Sequence, residues 1–183
     1  MLELSDNELD LDFTQRIPAC AISPLQAWAL QSEVEVGANA LGTAGYHVTI
    51  TQRTATPRPS FGQRTILIID DDESVRMVLE HYLAEDGYAT RSAGNRQQIL
   101  LALQTPPLPD LILLDVEMPD ADGFDLLEKF HQSKVVGEIP VVMLTARGNR
   151  KDIMKGLTLG AAGYITKPAK LTVINEMLRA LLG

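Results

Sequence analysis

The chain has 183 residues, 45% of them hydrophobic and 22% charged, which suits a globular protein of one medium domain plus an extension, or of two small units. Its formal net charge of −8 weighs against nucleic acid or an anionic membrane as a partner, since both select basic surfaces. No apolar run approaches the ~20 residues that a membrane helix requires.

In chain order, the first stretch is "MLELSDNELDLD", with five acids and no base, the opposite of a secretory signal. The single cysteine, Cys20, has no partner for an internal disulfide, so a reducing compartment and a cytoplasmic location are expected. Residues 1–22 are too acidic and too poor in large apolar groups to offset chain entropy by burial, and are predicted to be a disordered tail. Ser23 then opens a helix: Pro24 suits its first position, Gln26 completes a capping box, and Leu25, Trp28 and Ala29 share one face. In "GYHVTIT", Tyr46, Val48 and Ile50 alternate with polar residues, as in a half-buried strand. One helix and one strand cannot close a core, so 23–51 is a short extension. Residues 52–62, rich in Thr, Pro and Arg, read as a linker.

The main domain is expected over 63–183. Apolar runs at 66–69, 111–114 and 141–144 have the continuous hydrophobicity of strands covered on both faces. Shorter strands are predicted at 88–92 and 163–166. Between them lie five helical patterns: Val75, Val78, Leu79, Tyr82 and Leu83; Ile99, Leu100 and Leu103; Phe124, Leu127 and Phe130; Ile153 and Leu157; Leu171, Ile174, Leu178 and Leu181. Five strands alternating with five helices predict a doubly wound α/β fold, a parallel sheet covered on both faces by right-handed crossovers.

Ligands of such sheets bind beyond the carboxyl ends of the strands. The residues delivered there share a chemistry. Asp70 and Asp71 follow the first strand, Asp115 the third, in "DLILLDVEMPDADG", Thr145 ends the fourth, and Lys167 follows the fifth, in "GYITKPAK". Clustered carboxylates with no nearby arginine are costly unless a hard cation relieves them, and an open all-oxygen site suits Mg²⁺ with phosphate completing its shell. A carboxylate can also attack phosphorus and carry the group as an acyl phosphate, while a hydroxyl and an ammonium bind its outer oxygens.

The acidic pair, "LLDVEMPDADG", "LTA" and "TKP", in this order and at these strand ends, resemble the receiver domain of two-component response regulators over residues 65–182. The resemblance implies a flavodoxin-like sheet of strand order 2-1-3-4-5. It implies Asp115 as phosphoacceptor, Mg²⁺ held by Asp70, Asp71, Asp115 and the backbone carbonyl of Glu117, and Thr145 and Lys167 as phosphoryl-reading groups. Tyr164 falls at the family's aromatic switch position, and the Lys167–Pro168 bond is expected to be cis. Implied partners are a histidine kinase or histidine phosphotransfer protein upstream. Downstream, a target protein or a second copy is expected to bind through residues 149–182, with neither nucleic acid nor membrane involved; docking of the N-terminal helix and strand on the domain as a built-in target is the less favoured route, given the linker. The chain ends just after the fifth predicted helix, so no output domain is expected. Two positions depart from the family's usual pattern: Ala169 stands where Phe is frequent, and Glu117 occupies a variable place associated with phosphoryl lifetime.

Each residue also has a plainer reading. Asp72 is expected to cap the following helix rather than join the site. Tyr164 is equally a core aromatic, Trp28 a packing residue and "MPDADG" a loop shaped by Pro and Gly. His47, His81 and His131 are too scattered for a metal site. Two rival functions remain. A haloacid-dehalogenase-like phosphatase could take its D-x-D from Asp70 and Asp72, but it leaves Asp115 and "MPDADG" unused. A receiver-like interaction module that is never phosphorylated would have little reason to keep the whole constellation. Self-catalysed phosphorylation and dephosphorylation, rather than metabolic turnover, is the expected activity.

Overall fold

A computed structural model describes residues 62–183, together with two short strands, Val36–Gly37 (β1) and His47–Thr49 (β2). The acidic tail, Cys20, the helix expected at Ser23 with Trp28, and residues 52–61 of the linker lie outside the described residues.

The main domain alternates strand and helix. Its strands are Thr65–Ile69 (β3), Ala89–Ala93 (β4), Leu111–Leu114 (β5), Val141–Thr145 (β8) and Gly163–Thr166 (β9). Its helices are Glu73–Glu85 (α1), Arg96–Gln104 (α2), Gly123–Gln132 (α3), Arg150–Thr158 (α4) and Leu171–Leu182 (α5). A two-stranded hairpin, Glu117–Met118 (β6) with Ala121–Asp122 (β7), forms where a loop was predicted. The five main strands are parallel and run β4-β3-β5-β8-β9 across the sheet, the expected 2-1-3-4-5 order. Outside that order, β2 pairs antiparallel with β9, so the N-terminal strand docks on the domain, the route the sequence disfavoured, and β1 pairs antiparallel with β2.

Strand periodicity explains the two-layered core. Successive side chains face opposite ways, so Ile66, Ile68, Leu111, Leu113, Val142 and Leu144 pack under α1 and α5. Leu67, Ile69, Ile112, Leu114, Val141 and Met143 meet α2, α3 and α4 on the other face. Both faces are covered, which is why these strands read as unbroken apolar runs. Burying each such side chain contributes roughly 1.5–3 kcal/mol. Four of the five helices start on side-chain caps, α5 being the exception. Asp72 accepts from the amides of Ser74 and Val75, Asn95 from Gln98, Asp122 from Phe124 and Asn149 from Asp152. In α1 the buried stripe is narrower than predicted: Leu79 and Leu83 are covered, whereas Val78 is exposed.

Candidate functional site

Asp70, Asp71 and Asp115 meet at the carboxyl ends of β3 and β5. A carboxylate oxygen from each lies within 4.8 Å of the others. Asp70 and Asp115 are buried, and Asp71 is exposed. Lys167, carried past the end of β9, reaches across with Nζ 2.6 Å from Asp70 Oδ2 and 3.4 Å from Asp115 Oδ2. The Lys167–Pro168 bond is cis.

The surroundings oppose charge on Asp115. Burial raises its pKa first of all, and Asp70 adds to this, against the lowering effect of Lys167 and the Val116 amide. Burial also works against the Lys167 ammonium, but the hydrogen bond to Asp70 and the two negative charges outweigh it, so its pKa lies above the ordinary value. One ammonium therefore faces two buried carboxylates with a third at the rim. The cluster is short of positive charge.

The helix and loop geometry follows locally. Asp72, in the cap of α1, is turned to the helix amides and takes no part in the cluster, which removes the D-x-D of the phosphatase reading. Gly123 has its place for a steric reason: a Cβ there would fall on the carbonyl of Asp115. Its amide donates to the carbonyl of Val116 at 2.9 Å, closing the β6–β7 hairpin beside the cluster. Asp71, Val116, Glu117, Pro119, Asp122 and Arg147 line one open depression there.

Thr145 and Tyr164 are placed differently from the charged groups. Thr145 is fully buried at the end of β8, next to β5, and its Oγ1 accepts from the amide of Arg147 at 3.2 Å. Tyr164 is 1% exposed, its ring packs on Gly156 and Phe124's cluster, and its hydroxyl donates to the Arg147 carbonyl at 2.7 Å. Burial raises its pKa, so the hydroxyl stays protonated. The aromatic is thus already turned inward. Glu117 points an exposed carboxylate at Arg147, whose Nε donates to it at 3.0 Å.

Two arginines were not among the predicted site residues. Arg76 donates from Nη1 to the carbonyls of Asp70 and Asp71, at 2.7 and 2.9 Å. The motif-based premise of an arginine-free cluster therefore needs correcting, although Arg76 engages the backbone and leaves the carboxylates unneutralised. Its signal was available: side chains in a first helical turn lean back towards the preceding loop. Arg147 joins Thr145, Tyr164 and Glu117 through its amide, carbonyl and guanidinium, a convergence that spacing alone does not show.

The donor set fits a hard divalent cation. It consists of oxygens only, it carries excess negative charge, and one member faces solvent where waters complete a shell. Among the described residues no helix is long and apolar enough to cross a membrane.

Residues 66–179 match the family described as the response regulator receiver domain. The chain belongs to that family. It is 36% identical over 119 residues to the alkaline phosphatase synthesis transcriptional regulatory protein PhoP of Bacillus subtilis, a match covering 65% of this chain and 48% of that one. The phosphate regulon transcriptional regulatory protein PhoB of Pseudomonas aeruginosa is 37% identical, with 65% and 52% covered. The receiver domain also superposes on the chemotaxis protein CheY4 of Vibrio cholerae with TM-score 0.61 and 26% identity, over 66% of this chain and all of that one. The chain spans about half the length of the curated relatives it matches. The receiver family is a family of response regulators rather than of metabolic enzymes, and its fold is the one seen here.

Proposed function

We propose that this receiver domain accepts a phosphoryl group on Asp115 from a histidine kinase or histidine phosphotransfer protein and signals through protein contacts. The observation that carries the reading is the convergence of three carboxylates from two strands with Lys167 bonded to two of them. A carboxylate oxygen of Asp115 attacks phosphorus, the bond to the donor imidazole nitrogen breaks, and the imidazole leaves with the electron pair. Asp70, Asp71, Asp115 and the Glu117 carbonyl would hold Mg²⁺, which neutralises charge on the transferring group. Lys167 exchanges its contact with Asp115 for a phosphoryl oxygen, staying bound to Asp70. Thr145 turns its hydroxyl from the Arg147 amide to another oxygen. In hydrolysis a water oxygen attacks phosphorus, the bond from Asp115 oxygen to phosphorus breaks, the carboxylate leaves with the electron pair and the water's proton passes to the released phosphate, so phosphorylation and dephosphorylation both run on these residues.

Acetyl phosphate with Mg²⁺ should add one phosphoryl group per chain, located at Asp115 by peptide mass spectrometry. A normal adduct in Asp115→Asn would show that the acceptor is elsewhere. The acidic balance of the chain supports a protein partner rather than nucleic acid. The face built from 149–182, which includes the Tyr164 strand, is its candidate surface.

A further inference from the structure

The segment before residue 62 lies outside the part matched to the receiver family, yet it contributes two strands to the sheet. β2 runs along the open side of β9 in the register His47↔Ile165, Val48↔Tyr164 and Thr49↔Gly163. β1 then pairs Val36↔Val48 and Gly37↔His47 on its outer side. We propose that the outer edge of β9 is a strand-binding surface whose occupant is this chain's own strand His47–Thr49, bound in cis and backed by Val36–Gly37.

The two sheet edges differ in their need for cover. β4, at the far edge, carries Arg91 and is mostly half-exposed, and a charged edge strand resists further pairing. β9 reads Gly-Tyr-Ile-Thr and carries no charge to discourage pairing. Left open, its backbone groups would be a template for a strand from any other chain. β2 supplies the missing partner.

Chain geometry favours the cis arrangement. Because β2 is antiparallel to β9, Thr49 lies opposite Gly163, at the amino end of the parallel sheet where β3 begins at Thr65. Crossing from β2 past β9, β8 and β5 to β3 covers four inter-strand spacings, about 19 Å at ~4.8 Å each. The intervening residues 50–64 can reach more than twice that when extended, at ~3.3 Å per residue. Tethering holds the strand at an effective concentration in the millimolar range, far above that of a free competitor in dilute solution. An extension too small to fold alone thereby gains a sheet to fold on, which resolves why one strand and its neighbour persist without a core of their own.

The test uses the full chain. Successive amides of a strand point to opposite sides, so the double substitution Val48→Pro with Thr49→Pro removes whichever of the two donates to β9. Hydrogen exchange at the edge-facing amides of Gly163–Ile165 should accelerate at least about tenfold. Exchange at Ile66–Ile69 and Leu111–Leu114 should stay as in the parent, showing an intact domain. Unchanged protection of Gly163–Ile165 would overturn the proposal. A second variant does not rely on proline: His47→Cys with Ile165→Cys, in a Cys20→Ser background, places two thiols on paired residues whose Cα separation in an antiparallel sheet suits a disulfide. Oxidation should close the bond within one chain. Disulfide-linked dimers alone would assign the occupant to a second copy, and no bond at all would remove the register; either result refutes the cis assignment.

Discussion

At Asp115 and Lys167, one ammonium answers two buried carboxylates. Lys167 is the nearest counter-charge for Asp70 and Asp115, yet Asp115 still sits in surroundings that disfavour its ionised form. Asp115→Asn should therefore fold and, without Mg²⁺, melt a few degrees above the parent, because a neutral isostere removes buried repulsion. Thermal melts with and without Mg²⁺ check this. At a hundredfold excess over its dissociation constant, a ligand of the folded state alone adds about 2.7 kcal/mol. That increment should appear in the parent and vanish in Asp71→Ala; an equal shift in both would move the metal site elsewhere. Arg76 acts one layer out, holding the carbonyls of Asp70 and Asp71. Loss of such outer contacts typically weakens metal affinity 10- to 100-fold. Arg76→Met should fall at about tenfold weaker Mg²⁺ binding by calorimetry, with Asp115 still able to be labelled at saturating metal.

At the scale of elements, α3 is tied to the turn after α4 by His131, whose Nε2 donates to the Gly160 carbonyl at 3.0 Å. Burial lowers the His131 pKa below its ordinary 6.5, outweighing hydrogen bonds to the Gly160 and Gly137 carbonyls. The unfolded chain thus binds this proton before the folded chain does. Stability from neutral His131 is complete above about pH 6.5 and is lost as pH falls through the unfolded and then the folded value. The melting temperature should drop between pH 7.5 and 5.5 by more in the parent than in His131→Gln, which has no proton to take up. Equal drops would place the acid sensitivity in other groups. The β6–β7 hairpin illustrates the limits of local reading. "MPDADG" carries turn residues, as predicted, but the pairing of Glu117 with Asp122 follows from Gly123 pressing against Asp115, a contact made by the tertiary fold.

For the whole molecule, β9 is the strand through which the site and the extension meet. Tyr164 pairs with Met143 of β8 on one side and Val48 of β2 on the other, and its hydroxyl is held by the residue whose amide binds Thr145. If Thr145 leaves the Arg147 amide for a phosphoryl group, the loop bearing Arg147 loses one of its anchors. The balance of states over 149–182 then shifts, and a partner that distinguishes those states reads the difference. Beryllofluoride with Mg²⁺ should change hydrogen exchange over 149–182 and at 47–49 together in the parent, and in neither segment of Asp115→Asn. A change confined to 149–182 would uncouple the extension from the switch.

The sequence by itself determined the alternation of strands and helices, because solvent-excluded strands and amphipathic helices leave different periodicities that read without a partner. It also placed Asp70, Asp71, Asp115, Thr145 and Lys167 at strand ends, since the fold class assigns those ends to one rim. The tertiary structure alone decided that Lys167 sits on Asp70 across 97 positions of chain, that Arg76 grips carbonyls instead of carboxylates, and that Tyr164 is turned inward. It alone decided that β2 lies on β9. The physical reason is that tertiary packing, strand pairing and long-range ion pairs leave no periodic trace in the residues that make them; for Arg76, whose lean towards the loop was readable, only the choice of carbonyl over carboxylate needed the fold.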